Sequence, residues 1–304
     1  MKHILITGGN GQLGTELKRL AWPDGLAITA IDIDELDLRD TAAVTAMVAQ
    51  GHDGRPWAAV ISAGAYTAVD KAESDIVTAW TVNAMAPAAL AEGCAKAGIP
   101  IVQVSTDYVF DGARGGPWEV TDPVAPLDVY GASKLGGELA VRTSGARYAI
   151  VRTAWVVSAH GNNFIKTMLR MGATNATLPV VDDQYGSPTS ATDLAAALAT
   201  ITIRLVQDPA APIGTYHFSN AGAVTWAGFA REIFAQSAAR GGVSAEVRGI
   251  TTAEYPTTAR RPANSLLSHD AITRDYGICP QAWQMALGII LDELIGALAK
   301  ETQP

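Results

Sequence analysis

Short aliphatic runs alternate, along the first half of this chain, with stretches whose apolar positions recur every three or four residues. Lys2-His3-Ile4-Leu5-Ile6-Thr7 is such a run, and Leu13, Leu17 and Leu20 follow it at helical spacing. Further strand-like runs stand at 26–31, 58–64, 101–106 and 148–152, several of them apolar throughout, as strands covered on both faces are. Between them, residues 79–97 are Ala-rich with a helical period and close on Gly98-Ile99-Pro100, the Gly and Pro expected past a helix end. Residues 130–143 read as another helix. Strand and helix in regular succession predict an α/β fold with a doubly wound parallel sheet and right-handed crossovers.

The pattern changes after Thr153. A polar loop, Gly161-Asn162-Asn163, leads into a helix carrying Phe164, Met168, Leu169 and Met171, and Pro179-Val180-Val181 reads as a strand. The Ala-rich stretch 193–205, a short strand at Thr215-Tyr216-His217-Phe218 and helices near 226–239 and 283–298 follow. These pieces are too short for a second large domain. They predict a smaller, discontinuous C-terminal substrate lobe, made of 155–185 and 213–304, over a sheet domain of 1–154 to which 186–212 returns.

Composition narrows the function. The chain has 304 residues, 48% apolar and 17% charged, within the range of globular domains with a sizeable core. A net charge of −8 without clustered Lys and Arg argues against nucleic acid as a partner. Cys94 and Cys279 lack the spacing of a zinc site or a disulfide framework. No apolar run approaches the roughly 18 residues of a membrane helix, and a strand starting at Lys2 leaves no room for a signal peptide. No membrane association and a cytoplasmic location are therefore expected.

Chemistry enters at the turn after the first strand. Gly8-Gly9-Asn10-Gly11-Gln12-Leu13-Gly14 puts glycines between a strand and a helix, where the backbone can approach a ligand and free helix N–H groups attract a pyrophosphate. The second strand ends at Asp32, 18 residues beyond Gly14, in place to accept hydrogen bonds from a ribose. This is the start of a Rossmann dinucleotide fold, and Ala63, Gly64 and Ala65, at another strand end, offer small residues a cofactor could pass. Tyr130 and Lys134 fall four apart on one helix face, where an ammonium near a phenol would lower its pKa toward the range of a neutral-pH acid or base. Ser105 and Thr106 end the strand that precedes them, in the crevice where open parallel sheets bind ligands. Residues 107–128 form a long irregular loop with three prolines, a length usual in functional loops. Arg260 and Arg261 are a pair able to clamp a diphosphate.

Together, Gly8-x-x-Gly11-x-x-Gly14, Ser105-Thr106-Asp107-Tyr108-Val109-Phe110 and Tyr130-x-x-x-Lys134 resemble the extended short-chain dehydrogenase/reductase family, in its branch of dTDP-4-dehydrorhamnose reductases. Matching segments such as Asp70-Lys71-Ala72-Glu73, Val82-Asn83-Ala84 and Arg152-Thr153-Ala154-Trp155 spread the likeness over nearly the whole chain. The resemblance implies reduction, by NADPH or NADH, of the 4-keto group of a dTDP-6-deoxy-L-lyxo-4-hexulose to dTDP-L-rhamnose. It makes Tyr130 the proton donor, Lys134 its partner and the holder of the nicotinamide ribose, and Thr106 the hydroxyl on the carbonyl oxygen. Gly8, Asn10, Gly11, Gln12, Leu13, Gly14, Asp32, Ala63, Gly64 and Ala65 would hold the cofactor with Tyr130 and Lys134. Thr67, Val69, Thr106, Asp107, Tyr108, Trp155, Asn163 and Arg261 would meet the dTDP-sugar substrate.

Two departures bear on this. A metal-bridged dimer known in the family uses glutamates; of that pattern only Glu16 has a counterpart residue here, and position 192, where a second carboxylate would stand, is Thr192, so no metal is expected, while the resemblance leaves room for a homodimer. Asp32 would repel a 2′-phosphate and so favours NADH, whereas the family often takes NADPH. Three alternatives stand beside the reductase. A 4,6-dehydratase would need a Glu where Tyr108 stands, an epimerase would hold its NAD tightly, and a non-catalytic NADP-binding subunit need not keep Thr106, Tyr130 and Lys134.

Overall fold

The computed structural model describes residues 1–301; positions 302–304 of the expected lobe lie outside. Six strands form the main sheet: β1 (Lys2–Thr7), β2 (Leu26–Ile31), β3 (Ala59–Ser62), β4 (Ile101–Thr106), β5 (Tyr148–Thr153) and β6 (Gly214–His217). Their order is β6-β5-β4-β3-β1-β2, with every neighbouring pair parallel. The order reverses between β1 and β3, and in such sheets the ligand crevice opens at that switch.

Alternation along β1 divides the core between the two sheet faces. Ile4 and Ile6 pack with Leu17, Leu194, Leu198 and Ile201 on one face, while Leu5 packs with Val44, Val48, Leu90 and Val141 on the other. The helices Gln12–Arg19 and Ala191–Gln207 thus cover the first face, and Thr41–Gln50, Ala86–Ala97 and Val129–Thr143 the second. Helix Ala191–Gln207 packs against β3 and β4.

The lobe has a core of its own, in which Ile165, Met168, Leu178, Phe229, Phe234, Trp283 and Leu287 are buried together. It is built on helices Phe164–Gly172, Trp226–Ala239 and Trp283–Glu301 and on a parallel pair, Thr177–Val181 with Glu246–Ile250. The structure departs from the expected lobe boundary in one respect. Gly214–His217 extends the main sheet as β6, and Asp270–Tyr276 packs beneath it with Ala271 and Ile272 in the main core. A four-residue strand has too few ladder bonds to stand alone, and the edge of β5 supplies them while burying Tyr216.

The Ala-rich helix expected from residue 79 starts at Ile76 and passes through a π turn, Thr81–Met85, before Ala86–Ala97. The wider turn carries Asn83, which is buried and bonds across elements: its Oδ1 accepts the N–H of Tyr66 at 2.8 Å, and its Nδ2 donates to the Tyr66 carbonyl at 3.1 Å and to Ser133 Oγ at 3.0 Å. One side chain therefore ties the loop after β3 to the helix that bears Tyr130 and Lys134. Among the described residues, no helix is long and apolar enough to cross a membrane.

Candidate active site

A cavity of about 840 Å³ opens along the C-terminal ends of β2, β1, β3, β4 and β5. In strand order its wall carries Asp32, then Gly8, Asn10, Gly11, Gln12, Leu13 and Gly14, then Ala63, Gly64 and Ala65, then Thr106, Asp107 and Tyr108, and last Trp155; Thr67, Val69, Tyr130 and Lys134 also line it. The glycines at the switch point allow contacts a side chain would forbid. A Cβ on Gly8, whose φ is +75°, would stand 2.7 Å from Gly64 Cα, and one on Gly14 would stand 2.1 Å from the Gly8 carbonyl oxygen. The turn is thereby folded tightly under the start of helix Gln12–Arg19, whose first N–H groups have no intrahelical acceptor.

Asp32 is fixed in place. Its Oδ2 accepts the N–H of Asn10 at 2.7 Å and its Oδ1 that of Ile33 at 2.8 Å, so the carboxylate stays beside the glycine turn. Asp37, Leu38 and Arg39 line the same end and were missed in the sequence reading. The Arg39 guanidinium grips Asp37 with bonds of 2.6 and 2.9 Å, a pairing that Asp-x-Arg spacing alone does not announce.

At the other end Asp128 caps helix Val129–Thr143, its Oδ1 accepting the Gly131 N–H at 2.7 Å. That helix approaches Tyr108 closely because residue 131 is Gly; a Cβ there would lie 2.2 Å from the Tyr108 carbonyl oxygen. The cap and the close approach bring Tyr130 to the end of β4, where it lines the cavity together with Thr106. Tyr108 meets the Tyr130 ring edge-on, with centroids 5.5 Å apart. Lys134, one turn on, donates from Nζ to the Val104 carbonyl at 2.7 Å.

The expected effect of Lys134 on Tyr130 is not what this geometry gives. Burial pushes the Tyr130 phenol up from its usual value, against the lowering effect of the Thr106 hydroxyl. The Lys134 ammonium is itself pushed down to about 8 by burial, opposed by the charge of Glu138. Desolvation disfavours whichever form is charged, and it is the largest influence on both groups. The result suits a proton donor: at neutral pH the phenol keeps its proton and the ammonium keeps its charge. Asp107 is pushed up to about 6 by burial although Thr106 Oγ1 donates to it at 3.0 Å.

These values carry a test. Lys134 loses its charge as pH rises through about 8, so kcat/KM should be level only below about pH 7, be near half its plateau at about 8 and fall further above it. A profile flat to pH about 10 would show that the charge of Lys134 is not used, because its ordinary value lies near about 10.4.

Trp155 has φ +48°, a left-handed backbone that a bulky residue seldom adopts. Its ring stacks on Trp226 of the lobe with centroids 3.5 Å apart, and Gly186 leaves room for it. Strain of this kind at a cavity wall persists where surrounding packing imposes it. Asn163 and Arg261 do not line the cavity. Asn163 caps helix Phe164–Gly172 and bonds to Gln12, and Arg261 Nη2 is drawn 2.7 Å from Asp70 Oδ2. Glu16 is buried beside His160 and Arg19, and Glu293, distant in sequence, joins them through Arg19 at 2.7 Å. Among the described residues, no group of three or more His, Cys, Asp or Glu is placed to hold a metal ion.

Comparison with known proteins agrees with this architecture. Residues 1–295 match the family described as the RmlD substrate binding domain. The dTDP-4-dehydrorhamnose reductase of Sinorhizobium fredii is 43% identical over 93% of this chain and 94% of its own length, and that of Aggregatibacter actinomycetemcomitans 40% over 94% and 97%. Among solved structures, a dTDP-4-dehydrorhamnose reductase from Clostridium acetobutylicum superposes with a TM-score of 0.88 at 37% identity, covering 96% of this chain and 99% of that one. The Bacillus anthracis enzyme in complex with NADP gives 0.87 at 35%, covering 96% and 100%. A UDP-glucose 4-epimerase of Thermus thermophilus, 22% identical with a TM-score of 0.77, shares the fold. With its parallel sheet, its glycine turn and the cluster of Thr106, Tyr130 and Lys134, this chain belongs to the RmlD substrate binding domain family, that of the dTDP-4-dehydrorhamnose reductases.

Proposed function

We propose that this protein reduces the 4-keto group of dTDP-4-dehydro-β-L-rhamnose to give dTDP-L-rhamnose, with NADH or NADPH as reductant. The observation that carries the reading is the meeting of Tyr130, Thr106 and Lys134 at the end of β4, on a cavity whose far wall is the glycine turn and Asp32. The wall fits a dinucleotide: free helix N–H groups for the pyrophosphate, a fixed carboxylate for a ribose, and glycines where a Cβ would collide with backbone. A reduced nicotinamide supplies the hydride that C4 gains. Thr106 donates a hydrogen bond to the carbonyl oxygen, and Tyr130 gives that oxygen its proton. Lys134 sets a positive charge near the resulting phenolate. Thr67, Val69, Asp107, Tyr108 and Trp155 would surround the sugar, with Trp155 offering an apolar face to the deoxy ring.

The test supplies the keto sugar in situ from dTDP-glucose with a dehydratase and a 3,5-epimerase and follows the loss of reduced nicotinamide absorbance. Oxidation that requires both auxiliary enzymes is the expected result. A protein that binds the dinucleotide and oxidises none of it, with or without the 3,5-epimerase, would defeat the reading.

Coenzyme choice follows from the β2 end. The fixed Asp32 carboxylate repels a 2′-phosphate, and Arg39 is held by Asp37, so NADH should bind more tightly than NADPH. Asp32→Asn should lower the ratio of the NADPH to the NADH dissociation constant about tenfold, roughly 1.4 kcal/mol of relieved repulsion. An unchanged ratio would mean that Asp32 does not face the 2′ position.

A homodimer and a cytoplasmic location belong to the same proposal. Val77, Trp80 and Leu139 are exposed apolar side chains on two helices in contact, which supports self-association. Both proposed substrates are metabolites of the cell interior.

A further inference from the structure

Residues 158–163 of the lobe run along helix Gln12–Arg19, the helix that the glycine turn begins. Ser158 Oγ lies 3.4 Å from Glu16 Oε1, and His160 Nε2 lies 3.5 Å from the same oxygen. At the start of that helix Asn163 Nδ2 donates to Gln12 Oε1 at 2.9 Å. Gly161, at φ +62°, lies against the same side chain, since a Cβ on it would stand 3.1 Å from Gln12 Cγ.

Asn163 divides its two polar atoms between two tasks. Its Oδ1 accepts the Lys166 N–H at 3.2 Å and so caps helix Phe164–Gly172. Its Nδ2 donates to the Ser158 carbonyl at 2.7 Å, approaches that of His160 at 3.3 Å, and reaches across to Gln12. Gln12 is on the cavity wall; Asn163 is not.

The geometry points to Asn163 as a positioning residue for the dinucleotide rather than a contact for the sugar: it holds Gln12, and with it the first turn of the glycine-turn helix, from the lobe side. The inference rests on the reading of this cavity as a dinucleotide site. Gln12 is the first residue of a helix capped by Gly11, which has no side chain with which to order that end. A helix start that must present N–H groups to a pyrophosphate loses affinity when its first residue is left loose. The bond from Asn163 orders the Gln12 side chain, and the backbone of Gln12 follows its side chain.

Asn163→Asp separates the two tasks. Aspartate keeps the capping oxygen, so the lobe helix stays intact. It removes the donor, sets a carboxylate against the Ser158 and His160 carbonyls, and regains Gln12 only through a turned-over amide that reorders the Gln12 side chain. The NADH dissociation constant, measured by calorimetry without sugar, should rise about fivefold, from the lost Asn163 donor and the repulsion between the carboxylate and the two carbonyls. At saturating NADH, kcat and the KM for the keto sugar should each stay within about twofold of the parent value. Asn163→Ser, whose hydroxyl caps but is too short to reach Gln12, should raise the NADH constant about fivefold and serves if the aspartate variant does not fold.

An unchanged NADH constant with a raised sugar KM would make Asn163 a sugar contact and overturn the inference. Both constants unchanged would make the bond to Gln12 idle and overturn it equally. A parent protein that binds neither NADH nor NADPH would instead remove the dinucleotide reading itself, and the inference with it.

Discussion

Replacement of Tyr130 by Phe should lower kcat by at least about 100-fold while leaving the NADH dissociation constant within about threefold of its parent value. The size follows from the step proposed for the phenol. Hydride arriving at a carbonyl carbon leaves negative charge on the oxygen, and without a proton donor that charge must be borne by hydrogen bonds alone. Thr106 remains in the variant and supplies one of them, so the loss should stop short of complete inactivity. The asymmetry between turnover and binding follows from placement. Tyr130 stands at the β4 end of the cavity with Thr106, whereas Asp32 and Gly8 to Gly14 stand at the β2 and β1 end. Burial favours the protonated phenol, the form that the proposed donation needs, and Phe keeps the ring while removing that proton. Turnover measured with the in situ keto sugar, beside calorimetric titration of NADH, decides the matter: equal turnover would exclude Tyr130 as the donor, and a parallel loss of binding would make it a structural part of the cofactor site.

Much of this arrangement was legible in the chain. Strand Ile101–Thr106, helix Val129–Thr143 and helix Trp226–Ala239 fall within a residue of where periodicity and turn chemistry put them, because each is specified by residues adjacent in sequence. The glycine turn was equally clear, since its requirement is local: backbone approaching backbone. What periodicity does not contain is the partner of a side chain. Asn83 gives no local sign that it will bind Tyr66 and Ser133, and Gly214–His217 reads as an isolated strand until the edge of β5 is present to receive it. The family resemblance places Asn163 with the sugar; only the fold shows its donor turned to Gln12. The relation of Tyr130 to Lys134 was read from spacing as a direct pairing of charges. Spacing fixed their common face correctly but left out desolvation, which acts on both groups and reverses the direction expected for the phenol.

Substitution of Arg152 by Met should destabilise the fold by about 3–5 kcal/mol, a large part of the about 5–15 kcal/mol that a protein domain usually has. Glu138 is wholly buried, and Arg152 is nearly so. Their carboxylate and guanidinium share two bonds, Nε to Oε1 at 2.8 Å and Nη2 to Oε2 at 2.7 Å. Ser105 Oγ donates to the same carboxylate at 2.6 Å and Arg142 Nη2 at 3.0 Å, so the charge joins β4, β5 and the helix of Tyr130 and Lys134. Removing the guanidinium leaves an ion without water and with half its partners. The penalty comes from the stranded charge more than from the lost attraction, and this separates the double variant from the single one. Arg152→Met with Glu138→Leu removes the charge as well as its partner, and should recover most of the loss in denaturant unfolding, since an apolar pair can fill the same space. A single variant costing less than about 1 kcal/mol would mean that Arg142 and Ser105 satisfy Glu138 unaided, and a double variant as unstable as the single would place the cost in packing around Phe110, on whose ring Arg152 rests at 5.0 Å. Ser105 sits directly before Thr106, so the recovered double variant should fold well and yet turn over more slowly than the parent, its β4 end no longer anchored to the helix that carries Tyr130.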